Sequence, residues 1–479
     1  MLESRRLQQS KRWLLILLTG LFMLGPTWAA EPTPSDQEHE VDTVMQRQMA
    51  ARHIPGAAIA IVSHGQIVLT KGYGLADVEQ SVAVTENTVF QLASVSKQFT
   101  ATAIMMLVQE GKLSLESKLT GIIDGLPATW NAITIRQLLN HTSGIPEFGK
   151  KLNFQSDLRK DYTERQIIGL VADEPLDFVP GARLSYSNSG YFLLGMVIEK
   201  ISGMTYGDFL KKRIFQPLGM TATRFNDLRA VIPHRARGYT LDDATLRNAE
   251  YVNPAIPFAA GGLLSSAADM AKWSLALGSE KLLKAASWEE MWSPGKLNDG
   301  TTTNYGFGWY IRNKWSRKRL EHGGAIQGFS NDINHFVDGD LTVVVLTNLE
   351  GAEAGRIELE IFGFFLSDTR FKPPAPIADK DADTTKFLRQ VTVSLSHGTG
   401  DPQWFTPVVQ QYYFPDRIKE RKTMLGVFGP LTSFELIGDQ SKPDGRTRSY
   451  RAVFGQIPFH FAYQLTPAGK IAGVDFRPE

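Results

Sequence analysis

Between Ser94 and Gly111, apolar residues return at Phe99, Ala103, Met106 and Leu107, the spacing of one helix face, and Gly111 is the stop. Residues 41–52 and about 353–366 also read as helices. Short apolar runs at Ala57–Val62 and Ile67–Thr70 read as strands joined through a His64-Gly65 turn, and strand-like runs return at Phe329–Val337 and Leu341–Thr347. The stretch between them is mainly helical and loop-rich. The text then changes: Lys372-Pro373-Pro374-Ala375-Pro376 runs into Asp379-Lys380-Asp381-Ala382-Asp383, proline followed by alternating charge, which reads as a linker over 372–384. Residues 385–479 read as a helical stretch followed by strands around Arg448–Phe454, Phe459–Leu465 and Ile471–Phe476, the last pair joined by Thr466-Pro467-Ala468-Gly469-Lys470. The alternating Phe459, Phe461 and Tyr463 read as core. This segment is expected to be a small α+β C-terminal domain.

The first 30 residues follow another rule. Arg5, Arg6, Lys11 and Arg12 precede an apolar run from Trp13 to Leu24, and Thr27-Trp28-Ala29-Ala30 closes it with small residues. Residues 1–30 are therefore expected to be a signal peptide. The run is too short to span a bilayer, so no membrane span is expected after cleavage. Zero cysteines among 479 residues leave no disulfide and no lipid-anchoring thiol, and a bacterial periplasmic or secreted location fits. That leaves 31–371 as the main domain.

Composition removes several function classes. Lys+Arg 51 against Asp+Glu 50 gives a net charge of +1, with no basic block beyond the extreme N-terminus, so nucleic acid is not an expected partner. Nine histidines include no His-Glu-x-x-His, and without cysteine a zinc site is not expected. No Walker or dinucleotide glycine fingerprint and no Gly-x-Ser-x-Gly elbow occurs. No cofactor is implied; oligomeric state has no signature in the sequence.

What remains is Ser94-Val95-Ser96-Lys97. A serine hydroxyl needs a base before it attacks a carbonyl, and a lysine three residues on in a helix supplies one. At a helix start the lysine faces the positive end of the macrodipole, which with burial lowers its pKa toward a base's range. A second Ser-x-x-Lys, Ser293 to Lys296, lies in a Pro-Gly turn and serves as an internal control.

Tyr186-Ser187-Asn188 and His322-Gly323-Gly324 follow in order, with Leu138 to Gly144 (Leu-Leu-Asn-His-Thr-Ser-Gly), Pro217-Leu218-Gly219-Met220, Gly261-Gly262-Leu263 and Tyr305 to Trp309 between and around them. From about His53 to Phe365 the chain resembles the serine β-lactamase and penicillin-binding-protein superfamily, in its class C β-lactamase, D-alanyl-D-alanine carboxypeptidase and esterase branch. The resemblance implies an α+β fold with an antiparallel sheet made from both ends of the domain, flanking helices and a helical subdomain, the active site lying between. It implies Ser94 as nucleophile, Lys97 as its proton acceptor and the Tyr186 hydroxyl as proton shuttle, its phenol lowered by Lys97. It implies Asn188 on the substrate amide carbonyl, and an oxyanion hole from the N–H groups of Ser94 and Ala325. His141 is expected to brace the wall through backbone hydrogen bonds.

In lactamases and carboxypeptidases the third motif offers a cation and a hydroxyl to the substrate carboxylate; here His322 and Gly323 stand there, with Gly324 beside them. A histidine in ordinary surroundings charges as pH falls through about 6.5, so carboxylate preference is expected to grow on acidification. The resemblance thus implies a serine hydrolase acting on a small-molecule or peptide substrate, through an acyl-enzyme with esters or D-amino-acid-containing amides. The alternatives are a β-lactamase or D-alanyl-D-alanine carboxypeptidase, or a non-hydrolytic penicillin- or peptidoglycan-binding protein.

Overall fold

The computed structural model describes residues 34–153, 156–242, 245–314, 317–366, 375–414, 418, 425–442, 445–455 and 457–478. The expected signal peptide lies outside the described residues. At the centre is an antiparallel sheet of seven strands: β1 (Gly56–Ser63), β2 (Gln66–Asp77), β3 (Val82–Ala83), β4 (Tyr310–Lys314), β5 (Arg317–Ile326), β6 (Phe329–Phe336) and β7 (Leu341–Thr347), in the order β3-β2-β1-β7-β6-β5-β4. Helices α1 (Pro34–Arg52), α2 (Lys97–Gln109), α3 (Asn188–Ser202) and α4 (Ala354–Phe365) pack around it, with shorter helices between.

The two ends of the domain meet where β1 pairs with β7, from Ala57 opposite Thr347 to Ser63 opposite Leu341. Both strands are apolar almost throughout because both their faces are covered. Ala57, Ile59 and Ile61 pack with Val41 and Met45 of α1 and with Ile357 and Ile361 of α4. Ala58, Ala60 and Val62 turn to the opposite face and join the larger core with Phe99, Ile104 and Trp273. Helix α2 is the axis of that core: every residue from Lys97 to Leu107 is buried, as befits a helix surrounded by protein. Two of its buried polar side chains are tied to neighbouring segments, Thr100 Oγ1 donating to Ala259 O at 2.7 Å and Gln98 Oε1 accepting from Trp273 Nε1 at 2.9 Å. This is the mixed fold expected from the motifs.

Beyond residue 374 the structure departs from the expected linker. Its first residues, 372–374, lie outside the described residues, and helix α5 (Ala382–Ser396) already begins within it, capped by the Asp381 side chain accepting from Thr384 N at 3.2 Å. The alternating charges are not a solvated spacer. Arg448 is fully buried, and Asp379 reaches its Nη2 at 2.5 Å while Asp381 takes Arg446 Nη1 at 2.5 Å. A buried guanidinium needs such carboxylates. The four-stranded tail sheet is the meander β8 (Leu431–Lys442), β9 (Gly445–Phe454), β10 (Ile457–Leu465) and β11 (Ile471–Pro478). Strand β8 left no alternating signature because two register shifts, at 431/433 and 436/438, break the period of two.

Phe459, Phe461 and Tyr463 lie in the tail's own core with Leu388, Val391 and Leu395 of α5. Among the described residues, each apolar cluster draws on only one side of residue 374. A chain ending at residue 374 is therefore expected to fold and to label with a serine-reactive fluorophosphonate at the rate of the full chain. A folded chain of that length that no longer labels would show that the tail completes the site.

Candidate active site

Ser94 does not sit in the α-helix that the spacing predicts. It lies in a 3₁₀ turn, Ala93–Ser96, that leads into α2 at Lys97, with Ala93 in the left-handed region at φ 50°. The turn is anchored on both sides: Leu92 N donates to Leu263 O at 2.9 Å, and Leu263 N donates to Ser96 Oγ at 3.2 Å. Strand β5 presses against it at Gly324, where a Cβ would lie 2.2 Å from Leu92 O and 3.2 Å from Val95 N. Only glycine allows this approach, and it sets Ala325, exposed on the same strand, beside the serine.

The tight turn brings Lys97 Nζ to 3.0 Å from Ser94 Oγ. The same nitrogen lies 2.8 Å from Asn188 Oδ1 and 2.8 Å from Ala260 O, so three acceptors surround a side chain with no solvent exposure. Burial pulls its pKa down from 10.5 to about 7, against the opposing charge of Glu147. Near neutrality the amine is therefore half unprotonated, with a lone pair facing the serine O–H.

Tyr186 precedes α3, whose first residue is Asn188. Its ring centroid is 4.8 Å from Lys97 Nζ. Burial holds the phenol pKa well above 10, with only a hydrogen bond to Ser94 pulling it back. The expected lowering of this phenol by Lys97 is thus corrected: Lys97 itself loses its proton first, and Tyr186 rests as a neutral hydroxyl able to donate. His141 braces the wall with its ring as well as its backbone. Its carbonyl accepts from Ser185 N at 2.9 Å, its Nδ1 accepts from Ser187 N at 3.2 Å, and the ring packs against that of Tyr186 with centroids 4.3 Å apart at a 40° tilt.

His322 overturns a second expectation. It is buried, 2% exposed, with Nδ1 2.7 Å from Gly323 O and Nε2 2.9 Å from Tyr305 Oη. A carbonyl only accepts, so Nδ1 carries the proton and Nε2 accepts from Tyr305. Burial, then the charge of Lys97, lowers its pKa to about 3. His322 does not gain charge between pH 8 and 5.5, so it offers no acid-induced attraction for a carboxylate.

The structure thus brings Ser94, Tyr186, Asn188, His322, Gly323, Gly324 and Ala325 to one cleft, with Lys97 buried behind it against Ser94 and Asn188. The control serine is elsewhere engaged, Ser293 Oγ donating to Glu289 O at 2.7 Å. Two participants were not legible. Glu147 accepts from Asn188 N and, at 3.3 Å, from Asn188 Nδ2, fixing the amide that holds Lys97. It lies in a loop with no periodic pattern, and a lone Pro-Glu carries no motif. Ala260 acts through its carbonyl, which no side chain announces.

The family model described as Beta-lactamase matches residues 41–364. Penicillin-binding protein 4* of Bacillus subtilis (strain 168) is 33% identical over 371 residues, 73% of this chain and 82% of its own length. Among solved structures, the D-amino acid amidase from Ochrobactrum anthropi SV3 complexed with L-phenylalanine amide superposes with a TM-score of 0.61 at 26% identity, over 70% of this chain and 99% of that one. The octameric penicillin-binding protein homologue from Pyrococcus abyssi has the same TM-score of 0.61 at 24% identity, over 92% of this chain and 95% of its own, a likeness of fold.

Replacing Ser94 by alanine is expected to lower kcat by roughly 10⁴- to 10⁶-fold with the fold intact, whereas Ser293→Ala should be silent. Retained activity in the first and loss in the second would move the site. With Lys97 as the expected proton acceptor, active only when unprotonated, kcat/KM for a non-ionising ester should fall tenfold per unit below pH about 7. Glu147 raises the Lys97 pKa, so Glu147→Gln should carry that acid limb to lower pH. A limb that stays put or rises in the variant would remove Glu147 from this role.

Proposed function

The chain belongs to the beta-lactamase family, as a serine hydrolase of the β-lactamase and penicillin-binding-protein type, and from that premise we propose that it is exported and forms an acyl-enzyme on Ser94 with esters or D-amino-acid-containing amides and peptides. The observation that carries the reading is the fully buried Lys97, 3.0 Å from Ser94 Oγ, its pKa lowered to about 7. Neutral Lys97 accepts the Ser94 proton as Oγ attacks the carbonyl carbon. The N–H groups of Ser94 and Ala325 hold the oxyanion. Tyr186 gives its proton to the leaving group and regains one from Lys97. Water then enters, its proton passes through Tyr186 to Lys97 and on to Ser94 Oγ, and the acid leaves.

Substrate preference follows from the third motif. Neutral His322 and hydroxyl-free Gly323 offer no fixed cation and no hydroxyl to a carboxylate. Loss of roughly 1.5–3 kcal/mol of charge-assisted hydrogen bonding weakens carboxylate substrates by about tenfold to a hundredfold or more. Neutral esters and amides are therefore preferred to penicillins, and the likeness to a D-amino acid amidase supports the amide reading. Export to a periplasm or the cell exterior rests on residues 1–30 and the lack of cysteine. The second reading, favoured by the likeness to penicillin-binding protein 4*, is a protein that is acylated by β-lactams and clears them slowly or not at all.

A panel of short-chain esters, D-peptides and β-lactams, with Ser94→Ala as control, tests the proposal. The ratio of kcat/KM for p-nitrophenyl butyrate to that for nitrocefin should exceed one and stay level between pH 5.5 and 8, since both substrates share the Lys97 limb. A ratio below one at pH 8 would sink the ester and amide reading. Intact-protein mass spectrometry after penicillin exposure separates turnover from a persistent adduct on Ser94.

A further inference from the structure

Three acceptors surround Lys97 Nζ, but a neutral amine has only two N–H bonds to give them. Asn188 Oδ1 and Ala260 O can only accept, so they take both, and the lone pair is left facing the Ser94 hydroxyl at 3.0 Å. The Ala260 carbonyl thus helps to aim the base. Its own segment does little to hold it. Ala260 belongs to a helix of one turn, Phe258–Gly261, too short to be stable alone. Its first residue, Phe258, stands in the left-handed region at φ 35°, where a bulky side chain is strained. Packing fixes the turn sideways, since a Cβ at Gly195 of α3 would lie 2.5 Å from Ala259 Cβ. The direction of its carbonyls is left to hydrogen bonds.

The last carbonyls of a helix lack donors of their own. Leu263 N, four residues after Ala259, donates instead to Ser96 Oγ at 3.2 Å. Side chains of α2 fill the place: Lys97 takes Ala260 O at 2.8 Å, and Thr100, three residues on along the same face, takes Ala259 O at 2.7 Å. Thr100 has one proton to give. A helical threonine can spend it on the carbonyl four residues back, but Ser96 O lies at 3.5 Å, well beyond Ala259 O. Tyr206 Oη stands 2.8 Å from the same oxygen and, with the Thr100 proton engaged, is the donor of that pair. Thr100, Tyr206 and Ala259 are all fully buried, so no solvent donor replaces the hydroxyl.

We propose that Thr100 is a positioning residue for the reaction: its hydroxyl fixes Ala259 O and, through the adjoining peptide, Ala260 O, so that the Lys97 lone pair faces Ser94. This deepens the acyl-enzyme reading above and rests on it. Thr100 does not line the cleft, so its loss acts on kcat rather than on KM. The ammonium form of Lys97 donates to all three acceptors, and moving Ala260 O away weakens that form and carries the pKa below about 7. Loosening that merely let water reach the amine would raise it, because burial is what lowers it. The other groups facing Lys97 are Glu147, the rings of Tyr186 and Tyr191, and His141 and His322. All lie on other segments, and the substitution at 100 leaves them in place.

Thr100→Val in the full chain, which keeps the branched shape and removes the hydroxyl, tests this with p-nitrophenyl butyrate as substrate. Expected are a kcat lower by about tenfold or more on the alkaline plateau, a KM within about twofold, and an acid limb displaced to lower pH. Thr100→Ser restores the hydroxyl and should return kcat to within about threefold of wild type. Thr102→Val is the control: Thr102 Oγ1 is buried on the same helix without a partner, and its loss should leave kcat and the limb unchanged. Where Thr100→Val does not fold by circular dichroism, Thr100→Ala removes the same hydroxyl without new bulk and carries the same expectations. An unchanged kcat, a limb displaced upward, a Thr100→Ser variant as slow as Thr100→Val, or an equal loss in Thr102→Val overturns the assignment, while wild-type turnover keeps the acyl-enzyme. A wild type that neither turns over the ester nor labels with the fluorophosphonate removes both.

Discussion

A lysine side chain held without water in the middle of a core is the constraint around which this molecule is arranged. Transfer of an ammonium group from water into protein costs several kcal/mol unless the group is neutral or fully hydrogen-bonded, and Lys97 meets both conditions in part. Its three acceptors come from three different segments: the Ser94 turn, the start of α3 and the 258–261 helix. Each of those segments must therefore be placed to within a few tenths of an ångström. Glu147 moderates the result, since without its charge the amine would lose its proton at still lower pH.

The second constraint is steric. Strand β5 runs so close to the Ser94 turn that residue 324 has no room for a side chain. That contact places the Ala325 N–H beside the serine. It also buries the ring of His322, which alternates with Gly323 along the strand, and a buried imidazole between Tyr305 and a backbone carbonyl stays neutral. One packing decision thus sets the backbone N–H of the proposed oxyanion hole and leaves His322 without a charge.

Much of the core and the order of the main elements were legible because they depend on local periodicity. Strands β1 and β7 read as apolar runs, α2 as a helical face, and the tail hairpin at 466–470 as a turn between aromatic alternations. Strand β8 was not, since its bulges erase the alternation. Nor was the engagement of Asp379 and Asp381, whose partners Arg448 and Arg446 lie more than sixty residues away.

The same division runs through the site. Side-chain chemistry in a fixed order, Ser94 with Lys97, Tyr186 with Asn188, and His322-Gly323-Gly324, is written in the sequence, because each motif needs particular residue types at particular spacings. Which protonation state each group adopts is not, because pKa follows from desolvation and from charges brought near by folding. Lys97 near 7, Tyr186 well above 10 and His322 near 3 are properties of burial. Backbone carbonyls such as that of Ala260, a lone acid such as Glu147 and the carboxyl pair of Asp332 and Glu358 gain their partners only when distant segments pack, and tertiary structure alone decided them.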